Sequence, residues 1–320
     1  MSNYVVTGGS GFIGCNLVKR LTDEGHCVIS VDNNYTGCME NVTWSNTTRF
    51  VHADVILTAT FDEVRRQEFE DHRLKRIDGI FHLACPASPP AYQKDPMYTW
   101  KTGVIGTMNA LDYAKRVGAR FVQASTSEIY GDPQIKLQHE RYYGNVNCFG
   151  LRSCYDESKR AGETACYEYS RMGVDVRVAR IFNTYGPRMR LDDGRVVTNF
   201  VKQAVCGEPI TVYGDGRQTR SFCYVDDTVD GLIRLMEHPE PLDLPINIGN
   251  PQEMTIADFA GLVCEKTGAK LRVKNCDLPS DDPMQRCPDI TRAKMVLGWQ
   301  PTTPIEVGLD RMIEYVRSIV

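Results

Sequence analysis

Residues 4–31 read as one strand–turn–helix–strand unit, and its glycines leave the chain little choice of fold. Tyr4-Val5-Val6-Thr7 is an apolar run of strand length and Gly8-Gly9-Ser10-Gly11-Phe12-Ile13-Gly14 is the turn. Leu17, Val18 and Leu21 recur at helical spacing, Gly25 stops the helix, and Cys27-Val28-Ile29-Ser30-Val31 is a second strand. Gly8, Gly11 and Gly14 fall in a GxxGxxG pattern. That spacing permits a tight turn, lets the backbone approach a bound anion and brings helix against strand. It also aims the unpaired N–H groups of the helix N-terminus at the anion. A parallel βαβ unit needs helices on both faces of a buried parallel sheet. The expected fold class is therefore α/β, a Rossmann-type doubly wound parallel sheet, with Gly8, Gly11, Phe12, Ile13 and Gly14 as candidate contacts to a dinucleotide.

Asp32 closes the second strand, 18 residues beyond Gly14, where an acidic side chain meets the adenosine ribose hydroxyls. A 2′-phosphate ~4 Å from this carboxylate would be repelled by ~4 kcal/mol at an effective dielectric of ~20. The residues that follow are Asn33 and Asn34, not arginine. NAD is thus favoured over NADP, with Asn33 beside it. Arg49-Phe50-Val51-His52 reads as a third strand; Asp54 beyond it is a candidate for the adenine amino group, with capping of its own loop as an equal alternative. Ile80–Cys85 reads as a fourth strand carrying Leu83 toward the cofactor. It runs into Pro86-Ala87-Ser88-Pro89-Pro90-Ala91-Tyr92, a turn-rich loop at the carboxyl edge, where ligands of open α/β sheets bind. Pro86, Ser88 and Tyr92 are candidate substrate contacts. Residues 96–117 read as one amphipathic helix.

A fifth strand, Phe121-Val122-Gln123-Ala124, ends in Ser125-Thr126-Ser127-Glu128, and residues 155–171 read as a helix. Tyr155 and Lys159 are four residues apart, so they share one helix face. Bringing a phenol from its ordinary pKa of ~10 toward neutrality takes ~4 kcal/mol. One ammonium ~4 Å away supplies about that much at an effective dielectric of ~20, and a positively charged nicotinamide adds to it. Tyr155 is thus a candidate acid–base group assisted by Lys159. A hydroxyl at the strand end, Thr126, can bond both the phenol and a substrate alcohol. Glu128 would oppose ionisation of the phenol, so it is assigned to substrate or to water.

Composition narrows the partners. The chain has 320 residues and a net charge of −4, with no basic surplus for nucleic acid. No apolar run reaches membrane-spanning length and the chain opens directly into a strand, so neither signal peptide nor anchor is expected and the protein is expected in the cytoplasm. Twelve cysteines are scattered without a CxxC pair, several in apolar runs (Cys15, Cys85, Cys166, Cys206, Cys264). They are expected as reduced, mostly buried thiols. The six histidines show no ligand spacing, and no metal is expected.

Taken together, Gly8–Gly14, Thr126, Tyr155 and Lys159 resemble the extended short-chain dehydrogenase/reductases that act on nucleotide sugars. Further runs narrow the resemblance to the UDP-glucuronate decarboxylase family: residues 82–89, Ser125–Pro133, Arg152–Lys159, Ala179–Met189, Asp192–Val197, Gln218–Phe222, and Asp281-Asp282-Pro283 through Asp289-Ile290. The resemblance implies decarboxylation of UDP-glucuronate to UDP-xylose through a 4-keto intermediate, with bound NAD reduced and reoxidised. It places Asn183 and Arg188 in the sugar-nucleotide pocket with Ser127, stacks Tyr213 on uracil, and implies a homodimer through helices near 98–116 and 155–171. Arg220 is assigned to the sugar carboxylate and Arg286 to the diphosphate, because a planar fork meets either anion with two hydrogen bonds. A UDP-sugar 4-epimerase or a 4,6-dehydratase would share the fold, Tyr155 and Lys159; a non-catalytic NAD-binding regulator is the remaining alternative. Residues 1–182 are expected as the cofactor domain, with 221–249 returning to it, and 183–320 mainly as a smaller α/β substrate lobe. Gly103, where the family generally has Asn, and Cys85 and Cys287, where it usually has no Cys, are departures; Cys148-Phe149 replaces Pro-Ile in the loop before the Tyr155 helix.

Overall fold

A computed structural model describes residues 1–71, 74, 76–277 and 285–320; the Asp281-Asp282-Pro283 run lies outside the described residues. The first 181 residues run in the order β1 (Asn3–Thr7), α1 (Phe12–Asp23), β2 (Cys27–Asp32), β3 (Thr48–His52), α2 (Ala59–Glu70), β4 (Gly79–His82), α3 (Pro89–Lys94), α4 (Pro96–Lys101), α5 (Thr107–Val117), β5 (Arg120–Thr126), α6 (Ser153–Arg171) and β6 (Val176–Ile181). There follow β7 (Thr184–Tyr185), α7 (Val196–Val205), β8 (Ile210–Tyr213), β9 (Thr219–Ser221), β10 (Cys223–Tyr224), α8 (Val225–Glu237), β11 (Ile246–Ile248), β12 (Glu253–Thr255), α9 (Ile256–Thr267), β13 (Val273–Cys276), β14 (Gln285–Arg286), α10 (Thr291–Leu297) and α11 (Ile305–Ile319).

The central sheet has the order β11-β6-β5-β4-β1-β2-β3, and its pairings are parallel. Apart from the edge strand β3, its strands are largely buried on both faces, as their apolar runs require. One core holds Val6, Leu17, Leu21 and Phe81 together with Val229, Leu232 and Met236 of α8. The other holds Val5, Ile29, Val31 and Ile80 with Ala110, Leu111 and Tyr113 of α5. The smaller sheets carry the later strands: β9 lies between antiparallel β12 and parallel β14, and β8 pairs with β13. Thr255 caps α9, its hydroxyl accepting from the Asp258 N–H at 3.0 Å.

Two local expectations need correction. The loop after β4 contains a helix, α3, because Pro89 and Pro90 occupy its first two positions, where a missing N–H costs nothing. Residues 96–117 are not one regular helix either: a π-helical turn, Thr102–Gly106, joins α4 to α5. There Gly103 lies so close to α6 that a Cβ would stand 2.4 Å from Ser158 Oγ, and Thr107 Oγ1 donates to the Gly103 carbonyl at 2.7 Å. All twelve cysteines are free thiols, but Cys206 is exposed and Cys85 only partly buried. Among the described residues no helix is long and apolar enough to cross a membrane, and no cluster of three or more His, Cys, Asp or Glu side chains is arranged to hold a metal.

Candidate active site

The carboxyl ends of β1, β2, β4, β5 and β6 open on a cavity of ≈ 610 Å³, and every site residue named from the sequence lines it. At one end lies the glycine turn. Gly8 has φ 72°, and a Cβ there would meet Ala84 N at 2.8 Å. A Cβ on Gly14 would fall 2.0 Å from Gly8 O. The turn is therefore as tight as its glycines allow, with α1 drawn onto it. Gly11 caps α1 without a side-chain bond, so the first-turn N–H groups have no intrahelical partner and face the cavity as an anion site.

Asp32 accepts from Ser10 N at 3.0 Å and from Asn34 N at 2.8 Å, which fixes its carboxylate at the strand end. Asn33 donates to Asp54 Oδ2 at 2.9 Å, and Tyr98 donates to the same oxygen at 2.7 Å. Asp54 Oδ1 accepts from Ile56 N, so Asp54 caps its own loop while also lining the cavity. Tyr98, which the sequence did not single out, closes this wall; burial and its bond to Asp54 push its pKa up to about 12. These features fit an NAD: glycine backbone for the pyrophosphate, Asp32 for the ribose, and Asn33, Asp54 and Tyr98 toward the adenine.

At the centre Tyr155 and Lys159 lie buried on α6. The Tyr155 ring stacks on Tyr92, centroids 5.2 Å apart and planes 5° from parallel, and the neighbouring Thr126 hydroxyl favours the ionised phenol. Lys159 Nζ sits 5.7 Å from the Tyr155 ring centroid and donates to Ala124 O at 2.9 Å. The expected lowering of the phenol by Lys159 is therefore overturned for the protein alone. Desolvation dominates and raises the Tyr155 pKa well above that of a free phenol, with Cys85 and Asp156 adding and Thr126 and Arg195 opposing. Lys159 spends a hydrogen bond on the strand instead.

At the other end Glu128 is held by two guanidinium groups. Arg286 meets both its oxygens, Nη2 reaching Oε2 at 2.9 Å, and Arg152 bonds Oε2 from the start of α6. Burial pulls the Arg286 pKa down to about 10. Arg220 is its register partner on β9 and donates to Thr219 O at 2.9 Å. Arg152 stood within a motif but received no role; a cation at a helix N-terminus opposes the dipole, and that mismatch was the available signal. Ser127 and Ser88 are buried beside this end. Asn183 is fixed through its carbonyl, which accepts from Cys223 N at 2.9 Å. Tyr213 stands at the rim, 42% exposed, its carbonyl held by Gln218. Arg188 lines the cavity as well. With φ 70°, its turn is tied to Asn16 of α1 and to Asn41, and its charge favours the ionised form of Cys15 on α1. It therefore lies toward the cofactor turn.

Comparison with known proteins agrees with this geometry. The NAD dependent epimerase/dehydratase family matches residues 4–249. UDP-glucuronic acid decarboxylase 5 of Arabidopsis thaliana is 50% identical over 98% of this chain and 89% of its own. Among solved structures, a UDP-glucose 4-epimerase from Thermotoga maritima with UDP-glucose is 29% identical, with a TM-score of 0.90 over 99% of both chains. A UDP-glucuronic acid 4-epimerase from Bacillus cereus, in complex with UDP-glucuronic acid and NAD, is 25% identical, with a TM-score of 0.88 over 99% of this chain and 100% of its own. The chain thus belongs to the NAD dependent epimerase/dehydratase family, alongside the UDP-glucuronic acid decarboxylases.

Proposed function

We propose that this protein decarboxylates UDP-glucuronate to UDP-xylose, and that Tyr155 begins and ends the reaction. The observation that carries the reading is the buried Arg286 locked on Glu128, in the turn that begins at Thr126 beside Tyr155. A guanidinium there meets an anion close to the reacting alcohol, and in UDP-glucuronate that anion is the carboxylate on C5.

Gly8–Gly14, Asp32, Asn33, Asp54 and Leu83 hold the dinucleotide. When bound, NAD accepts hydride from C4 and returns it to the same carbon. Thr126 holds the 4-hydroxyl and Tyr155 takes its proton. Tyr155 needs help to ionise, since burial opposes it even with Lys159 in place; the charge of the oxidised cofactor would supply that help. The resulting 4-ketone makes the hexuronate a β-keto acid. Its C5–carboxylate bond breaks, CO₂ leaves, and the electron pair passes into the ketone as an enolate. Arg286 orients the carboxylate. Sequence reasoning assigns the carboxylate to Arg220 and the diphosphate to Arg286; we assign them the other way round, because Arg286 reaches the Thr126–Glu128 turn. Both oxygens of Glu128 are engaged by guanidinium groups, so it orients a water that returns the proton to C5. Tyr155 then reprotonates the C4 oxygen as the ketone is reduced.

Free thiols throughout suit a reducing compartment, and we place the protein in the cytoplasm. Met97, Trp100, Ile105 and Met108 are exposed along α4 to α5, beside α6, and support a homodimer through these helices. Proton NMR of UDP-glucuronate with catalytic NAD tests the function. The expected product is UDP-xylose with release of CO₂; a C4-inverted hexuronate would favour the epimerase reading, which the likeness to the Bacillus cereus enzyme keeps open, and absence of any pentose nucleotide overturns ours.

A further inference from the structure

Arg286 sits on a strand of two residues against another of three. So short a pairing is a weak mount for a buried cation. A second mount lies on its C-terminal side, and it belongs to no part of the machinery described above. Gln138 brackets the next residue: its N–H donates to Cys287 O at 2.9 Å, its Oε1 accepts from Cys287 N at 2.7 Å, and its carbonyl accepts from Asp289 N at 2.9 Å. Its Nε2 donates to Ile135 and Lys136 carbonyls. Gln138 is fully buried, and its side chain is fully used.

Asn247, on the edge strand β11 and also fully buried, joins this bracket to the other side of the site. Its Nδ2 donates to Gln138 O at 2.9 Å and to Asp289 O at 3.0 Å. Its Oδ1 accepts from the Tyr130 hydroxyl at 2.8 Å, and its N–H donates to Glu140 Oε1. Tyr130 ends the same short turn that carries Glu128. The Tyr130 hydroxyl in turn accepts from Arg180 at 3.0 Å, and Arg180 pairs with Glu163. Asn247 therefore ties the Tyr130 side chain, at the end of the Glu128 turn, to Gln138 and Asp289, which hold the backbone just beyond the Arg286 strand. A buried, fully satisfied network of this kind rigidifies what it joins, and a site needs such support to hold its geometry.

We infer that Asn247 and Gln138 are positioning residues that set the spacing between Glu128 and Arg286 and so govern the decarboxylation step but not the oxidation of C4. The inference rests on the decarboxylase reading. Tyr155, Lys159 and Thr126 are mounted on α6 and β5 and do not depend on the bracket. Loosening it leaves the first half-reaction intact and slows the second.

The test is single-turnover absorbance at 340 nm with UDP-glucuronate and NAD-loaded protein, alongside CO₂ release, for wild type, Asn247→Ala and Gln138→Met. The expected result is an unchanged rise in reduced cofactor, followed by decay and CO₂ release slowed about tenfold or more in both variants, with no further slowing when either is added to Arg286→Lys. Calorimetry supplies a readout free of turnover: both variants should lose affinity for UDP-glucuronate about tenfold while holding UDP-xylose, which lacks the carboxylate, as wild type does. If Asn247→Ala fails to fold, Gln138→Met decides alone, because it keeps every backbone bond of the bracket. Rise and decay slowed equally, a decay at the wild-type rate, or equal loss for both ligands overturns the inference. A wild type that oxidises UDP-glucuronate without releasing CO₂ overturns the decarboxylase reading instead.

Discussion

Replacing Arg286 with methionine separates the two half-reactions. In the fold, the variant loses charge-assisted bonds to Glu128, each contributing ~1.5–3 kcal/mol. It also no longer buries a guanidinium, a cost of several kcal/mol, and Arg152 still pairs with Glu128. The two effects nearly cancel. Stability should change by ~2 kcal/mol or less, which for 320 residues shifts Tm by only ~3 °C. At the reacting carbon nothing cancels. The substrate carboxylate is desolvated in both proteins and in the variant loses a two-pronged partner worth ~3–6 kcal/mol, so decarboxylation should slow by roughly 10²- to 10⁴-fold. Oxidation of C4 depends on Tyr155, Thr126 and Lys159 and should persist. Stopped-flow absorbance at 340 nm should show reduced cofactor forming at the wild-type rate and then persisting, with CO₂ release delayed. CO₂ release within tenfold of wild type, or a block of decarboxylation by Arg220→Met in its place, would refute the assignment of the two arginines.

Asp32→Asn should narrow the preference for NAD over NADP by up to about a thousandfold, the equivalent of the ~4 kcal/mol repulsion, as read from the two dissociation constants. Without ligand, the raised pKa of Tyr155 means the folded state holds its proton more tightly than the unfolded state. That stability is present in full below the ordinary phenol pKa near 10 and is lost as pH rises beyond it. Urea titrations should therefore show Tyr155→Phe losing less stability than wild type between pH 9 and 11, on the order of the phenol titration range. Gly103→Asn should destabilise by about 1–3 kcal/mol, because the new Cβ meets Ser158 Oγ, which is itself bonded to Tyr155 O at 2.8 Å; Ser158→Gly in the same chain should restore part of the lost Tm.

What the sequence carried is what short-range chemistry decides. Gly8, Gly11 and Gly14 announce their turn because no other residue satisfies it. The helical spacing of residues 155–171 likewise marks a helix, which the structure places at Ser153–Arg171. The break at Gly103 was not legible, since its cause is Ser158, distant in the chain and brought near only by packing of α6. Nor was the balance at Tyr155: the spacing to Lys159 is local, but desolvation depends on how completely the phenol is covered. The pairing of Arg286 with Glu128 was hidden for the same reason: either arginine suits either anion, and only the fold, with β14 paired on β9, brings Arg286 against Glu128. Arg188 lines the cavity from a turn tied to Asn16 and Asn41, contacts that only the fold brings together.

The central claim is that hydrogen leaves C4 of the sugar and comes back to it, with carboxylate lost in between. UDP-[4-²H]glucuronate, turned over in ordinary water and followed by NMR, tests this most directly. The account predicts UDP-xylose with deuterium still on C4 and a solvent hydrogen newly placed on C5. Deuterium missing from C4, or a hexuronate product with its carboxylate intact, would contradict it.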